Sequence, residues 1–194
     1  MIKIKTTLLA LAAAAFGHSA SAQTTTNAYL SASVGPSRAN VDCSGTTACD
    51  RSSVAAKLLF GYRIVPNFAV EVSYAYLGKV SATVDVDGDP VDAGIKGQSL
   101  GIGVAGLLPF GSAQEWTGIA RAGIASNRTR VSVSGAGVSA SDSESHAEPY
   151  FGLGLNYAFT PSVDAGIAWD NTRLKYADTS TRVNVFSVVA SFKF

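Results

Sequence analysis

The sequence predicts an all-β chain: an eight-stranded antiparallel up-and-down barrel that crosses a membrane with its strands. Three observations predict it. Eight segments alternate apolar residues with small or polar ones at period two, and none carries a convincing 3.6 period. The connections between them are short and long in turn. Only 15% of the residues are charged, against roughly 25% in an ordinary soluble domain.

The N-terminus sets the compartment. Lys3 and Lys5 form a basic start, residues 8–16 are an unbroken apolar run, and Ala20-Ser21-Ala22 is a small-residue cleavage site. This is the pattern of a secretory signal peptide over residues 1–22. The apolar run is well short of the ~20 residues a spanning helix needs. Removing 22 of 194 residues leaves 172, enough for one domain over 23–194, and the loss of Lys3 and Lys5 takes the formal charge from +1 to −1. A near-neutral chain has no basic footprint for nucleic acid.

The first strand is read at 27–35, with Leu30, Ala32 and Val34 on one face. The second, 53–65, places Leu58, Phe60, Tyr62 and Ile64 opposite Lys57 and Arg63. In the third, 67–77, Phe68, Val70, Val72 and Tyr74 oppose Ala69, Glu71 and Ser73. The fourth, 98–108, sets Leu100, Ile102 and Val104 against Ser99, Gly101 and Gly103. The fifth, 116–125, is less regular, with Arg121 opposing Trp116, Ala120, Ala122 and Ile124. The sixth, 148–159, alternates Phe151, Leu153 and Leu155 with Gly152, Gly154 and Asn156. The seventh, 163–171, opposes Ile167 and Trp169 to Asp164 and Asp170. The eighth begins near Arg182 and ends at Phe194; counting back in twos gives Phe194, Phe192, Ala190, Val188 and Phe186.

Pro66-Asn67, Pro161-Ser162 and the stretch 109–115 make short connections. Long polar segments are read at 36–52, 78–97 and 126–147, with a shorter one at 175–181. The Ser/Gly-rich stretch 131–145 is expected to be a mobile loop rather than an extension of the strands beside it. An even strand number returns the chain to its starting side, so the sheet can close and lose its edges.

A closed barrel buries its apolar face inside if it is soluble and turns it outward if it sits in lipid. The face bearing Ala69, Ser73, Gly101, Gly103, Gly152 and Gly154 is too poor in charge for a soluble surface. The large apolar residues would also overfill a small lumen. They are therefore assigned to lipid, which leaves Lys57, Arg63, Glu71, Arg121, Asp164, Asp170 and Lys193 inside. Aromatic placement agrees. Tyr62, Phe68, Phe110, Trp116, Tyr157, Phe159, Phe192 and Phe194 lie near short turns or the C-terminus, and Tyr74, Tyr76, Trp169 and Phe186 lie toward the other rim. Two such girdles are expected at the two membrane interfaces.

The closing 185–194 segment, with Phe186, Phe192 and Phe194, resembles the C-terminal signature of Gram-negative outer-membrane barrels. Residues 68–78, 118–125 and 149–169 resemble the OmpA-like transmembrane domain and its OmpX-type relatives. The resemblance implies recognition of the last strand by the barrel-assembly machinery. It also implies a surrounding of outer-membrane lipid and lipopolysaccharide, and pairing of Glu71 with Arg121 as a structural lumen pair. The sequence ends with the barrel, so the peptidoglycan-binding domain of full-length relatives is not expected.

Catalytic and metal chemistry is thinly represented. Cys43 and Cys49, six apart in an exported chain, are expected to form a disulfide in the first loop. His146 is the one histidine after the signal peptide; Ser145, Glu144 and Glu148 lie beside it in sequence, without a recognisable triad context. Asp85, Asp87 and Asp89 have calcium-loop spacing, but Lys96 stands where the bidentate glutamate belongs. No metal and no cofactor is expected. The leading expectation is a non-enzymatic barrel with a structural or surface-interaction role, its loops meeting a host or surface ligand. A lipid A-modifying enzyme and a narrow ion channel are the alternatives.

Overall fold

A computed structural model describes residues 27–41, 48–86, 89–135, 138–176 and 179–194. The expected signal peptide, Cys43 and Asp87 lie outside the described residues. Eight long strands form the wall: β1 (Ala28–Ala39), β3 (Ser52–Val65), β4 (Phe68–Val86), β5 (Asp89–Phe110), β6 (Trp116–Gly135), β7 (Val138–Ala158), β8 (Val163–Tyr176) and β9 (Thr179–Lys193). A three-residue strand, β2 (Ala48–Asp50), lies within the first long connection and pairs with β4.

Every neighbouring pair is antiparallel, and β9 returns to β1 with Leu30 opposite Phe192, Ala32 opposite Ala190 and Val34 opposite Val188. Pairing of β4 with β5 completes the ring. Closure leaves the wall without an open edge, which the backbone requires in lipid. Alternation then does the sorting. Ile102, Ile124 and Ile167 are each at least 61% exposed on the outside, whereas Ala69 and Ala105, facing in, are 1% and 0% exposed.

Two glycines sit where the backbone takes positive φ. Gly78 (φ 99°) occupies a bulge where the β4–β5 register shifts between Tyr76 and Gly78. Gly111 (φ 97°) opens the short turn from β5 to β6. Around the short-turn rim the aromatics form a continuous chain. Phe110 stacks on Trp116 at 6.5 Å, Trp116 meets Tyr157 edge-on at 4.9 Å, and Tyr157 meets Phe159 at 5.1 Å.

Two expectations are corrected here. Of the segments 78–97 and 126–147, the described residues 78–86, 89–97, 126–135 and 138–147 are strand, not loop. The β4–β5 ladder continues up to Val86 opposite Asp89, and the β6–β7 ladder up to Gly135 opposite Val138. Within the Ser/Gly-rich stretch, residues 131–135 and 138–145 belong to that second hairpin. Val131 and Val133 alternate with Ser132 and Ser134 there, and a paired neighbour is enough to hold them extended. The lumen is not filled by small residues and charges alone. Tyr29, Leu59, Leu107 and Ile119 pack in one inner cluster, and Leu77, Leu174, Val183 and Val185 in another.

Candidate functional site: the lumen and its outer mouth

The inward face of each strand contributes polar side chains, and strand register decides which of them meet. Arg121 Nε donates to Glu71 Oε2 at 2.9 Å, and Tyr29 OH donates to Glu71 Oε1 at 2.5 Å. Glu71 is 1% exposed and Arg121 7%. A carboxylate and a guanidinium this deep need one another and their hydrogen bonds. Lys57 Nζ donates to Asp170 Oδ2 at 2.5 Å. Lys193 Nζ lies 2.7 Å from Asp164 Oδ1, a close ionic contact off hydrogen-bond geometry. Arg63 has no carboxylate partner among the described residues; its guanidinium lies 5.9 Å from the centre of the Tyr29 ring.

Glycines make room for this interior. Gly123 and Gly103 face each other across β5 and β6, and a Cβ at Gly123 would stand 2.6 Å from the Tyr150 ring. Tyr150 thus lies flat over a floor that carries no side chains.

The cavities between these groups have volumes of about 20, 30 and 40 Å³, room for isolated waters only. Above the charged layer, Leu77, Leu174, Val183 and Val185 close the lumen. Beyond that seal the mouth widens into a cavity of about 290 Å³ lined by residues such as Val80, Ile95, Val131 and Leu174.

One side of the mouth is built differently. β7 and β8 pair only from Phe151 opposite Asn171 down to Ala158 opposite Asp164. Above that point side chains bridge the strands. Asn127 Nδ2 reaches from β6 to Thr172 Oγ1 (2.8 Å) and to the Arg173 carbonyl (2.6 Å), and Lys175 pairs with Glu148 at 2.7 Å. Tyr176 OH donates to Asp142 Oδ2 at 3.2 Å. Desolvation, followed by the nearby negative charge of Asp142, raises its pKa above the ordinary phenol value.

His146 lies on β7, not in a loop, and its Nε2 is 3.3 Å from Glu144 Oε2. Ser145 is the next residue along a strand, so it points to the opposite face and away from the imidazole. Among the described residues no group of three or more metal-ligating side chains comes together. Cys49 lies on β2, and no described cysteine is a free thiol. Phe186, Phe192 and Phe194 all face outward; Phe192 and Phe194 stack at 6.1 Å.

The sequence reading missed the inner apolar clusters, although a signal for them exists. Leu58-Leu59, Leu107-Leu108 and Val188-Val189 are adjacent apolar pairs, and a strand must turn one member of each inward. The Asn127 bridge carries no such signal, because it depends on where β7 leaves β8.

No curated protein matches the chain. Solved structures do. Neisserial surface protein A aligns with a TM-score of 0.63 at 18% identity, covering 87% of this chain and 98% of that one. Ail, the attachment invasion locus protein of Yersinia pestis, aligns with a TM-score of 0.56 at 17% identity, covering 87% and 99%. The N-terminal β-barrel domain of Pseudomonas aeruginosa OprF aligns with a TM-score of 0.51 at 14% identity, covering 86% and 98%. At these identities the likeness is one of fold. The model of the outer membrane protein beta-barrel domain matches residues 7–194. A closed wall, an apolar outer belt and a family match over nearly the whole sequence lead to one conclusion: the chain belongs to the outer-membrane β-barrel family and is an integral outer-membrane protein.

Proposed function

We propose that this protein is a non-enzymatic surface-interaction barrel. Residues 1–22 direct export, residues 23–194 form the barrel, and the long hairpins stand outside the cell. The observation that carries the reading is the extension of two hairpins, β4–β5 and β6–β7, well past the apolar belt on the rim opposite the short turns. Such extensions add nothing to spanning, and binding concentrates on segments held by a rigid scaffold. Their outward face carries Lys79, Ser81, Lys96, Arg130 and Ser132, which suits a wetted contact surface, while Val80, Ile95 and Val131 line the mouth within. Ail has been crystallised in complex with the heparin analogue sucrose octasulfate, so a sulfated glycan is the first ligand class to try. The barrel-assembly machinery is the proposed reader of Phe186, Phe192 and Phe194. A disulfide between Cys43 and Cys49 is the proposed clasp of the first loop.

The enzymatic alternative has little support, because Ser145 and His146 point to opposite faces. The channel alternative is disfavoured by the paired charges and the apolar seal above them.

The test has two parts. Outer-membrane fractions are run on a gel with and without boiling, and an epitope is inserted at residues 136–137 and probed on intact cells. The expected result is a heat-dependent mobility shift together with antibody binding to unbroken cells. A soluble periplasmic protein without a shift, or an epitope reached only after lysis, would overturn the reading.

A further inference from the structure

Three strands on one side of the barrel, β8, β9 and β1, carry an ordered outward face. Register places Arg173 directly opposite Arg182. One row below, Asn171 faces Asn184, which in turn faces Arg38. The next row toward the short turns pairs Trp169 with Phe186, and the next sets Ile167, Val188 and Val34 abreast. Below these come Ala165, Ala190 and Ala32. Polarity therefore falls in steps from cationic to amide to aromatic to aliphatic within five rows.

Two features of this face are not needed for folding. The first is the arginine pair. Like charges directly opposite on a sheet destabilise it, and neither Arg173, Arg182 nor Arg38 forms an ion pair among the described residues. Asn171 Nδ2 donates to Asn184 Oδ1 at 2.8 Å, so the amides below are occupied with each other and do not neutralise the charge. The second is a groove of about 720 Å³ in the outer wall directly beneath, whose lining includes Val34, Ile167, Trp169, Phe186 and Val188. Gly35 and Pro36 lie in its lining, where β1 approaches β9. A Cβ at Gly35 would stand 2.7 Å from the Ser187 Cα, and between Val34–Val188 and Ser37–Val185 the ladder is interrupted.

We infer that this face is a binding site for one phosphorylated, acylated lipid of the outer leaflet. Its phosphate is held by Arg38, Arg173 and Arg182, and an acyl chain lies in the groove below. Charge complementarity selects the headgroup, because guanidinium groups match phosphate oxygens in pairs. The cations stand one row (Arg38) and two rows (Arg173, Arg182) above the aromatic row, which places them at headgroup depth. The inference rests on the proposed orientation of the barrel, with the long hairpins outside. The opposite wall supplies a comparison. There Lys79, Lys96 and Arg130 also stand in register on β4, β5 and β6. The groove beneath the arginines does not extend to those strands.

The experiment is native mass spectrometry of the folded full-length barrel released from detergent. It is incubated with bisphosphorylated lipid A, with the same lipid dephosphorylated, or with phosphatidylglycerol. A single lipid A adduct is expected to survive, with the dephosphorylated form much weaker. Replacing all three arginines (Arg38→Gln, Arg173→Gln, Arg182→Gln) should lower the apparent affinity at least about tenfold, given what each cation near an anionic headgroup contributes. Val188→Trp should fill the groove and weaken the adduct without touching any charge. Lys79→Gln with Lys96→Gln and Arg130→Gln should leave it intact. Equal loss in the lysine set, equal binding of the dephosphorylated lipid or an undiminished adduct in the arginine variant would overturn the inference. The unboiled gel shift keeps the two readings apart. A wild type that shifts but holds no lipid A adduct speaks against the lipid site alone, and a wild type that never shifts speaks against the barrel.

Discussion

Glu71 shows how much one interior residue depends on its surroundings. It accepts hydrogen bonds from both Arg121 and Tyr29 and is almost wholly shielded. Glu71→Ala leaves Arg121 buried without its counter-charge, a change expected to cost about 3–5 kcal/mol. Urea unfolding in micelles, followed by tryptophan fluorescence, measures it. The Glu71→Ala, Arg121→Ala double variant should lose less than the two single losses added together, because it removes both charges at once. Strict additivity would mean that the pair is not coupled. Space is the constraint at Gly123. Gly123→Val drives a branched side chain against the Ile102 carbonyl and into the Tyr150 ring, and overpacking of this kind costs about 1–3 kcal/mol. Tyr150→Ala in the same chain should restore part of the stability by opening room; no recovery would place the strain in the β5–β6 backbone instead.

Among the elements, β6 and β9 carry the most testable roles. β6 holds the mouth together where β7 and β8 separate, through the two hydrogen bonds of Asn127 to Thr172 and Arg173. Asn127→Ala removes both. Amide exchange over residues 172–176 should then speed up while residues 164–170, still laddered to β7, keep their protection. Unchanged exchange at 172–176 would show that the β8–β9 ladder alone holds that end. β9 closes the ring against β1 and ends in the stacked Phe192 and Phe194. Phe194→Ala is expected to lower the amount of heat-modifiable barrel assembled in cells. Refolding into detergent from urea should proceed nearly as in the wild type, since β9 keeps its pairing. Parallel loss in both assays would make Phe194 a stability residue and not an assembly signal.

For the molecule as a whole, the interior consists of stacked seals. Paired charges occupy the middle, and Leu77, Leu174, Val183 and Val185 lie above them. Planar bilayers containing the wild type should show no conductance steps. The Glu71→Ala, Arg121→Ala variant should remain closed as well, because the apolar layer does not depend on that pair. Steps in the wild type would mean that the seal opens on the timescale of the recording and would revive the channel reading.

The sequence alone determined the class of structure. Period-two alternation, the outward placement of Leu100, Ile102 and Val104, and the aromatics at the short turns follow from strand geometry and from the low cost of apolar groups in lipid. Those are local properties, readable one strand at a time. The inward set of Lys57, Glu71, Arg121 and Asp170 was also legible, since parity along a strand fixes the face. Only the tertiary structure decided which of them touch. Lys57 and Asp170 are 113 residues apart in sequence, and their meeting depends on strand tilt and register around the ring. The same holds for the length of the outer hairpins. Residues 131–145 are polar and rich in serine, a composition compatible with loop or strand. The choice was made by a neighbouring strand offering its backbone, which no single segment of sequence contains.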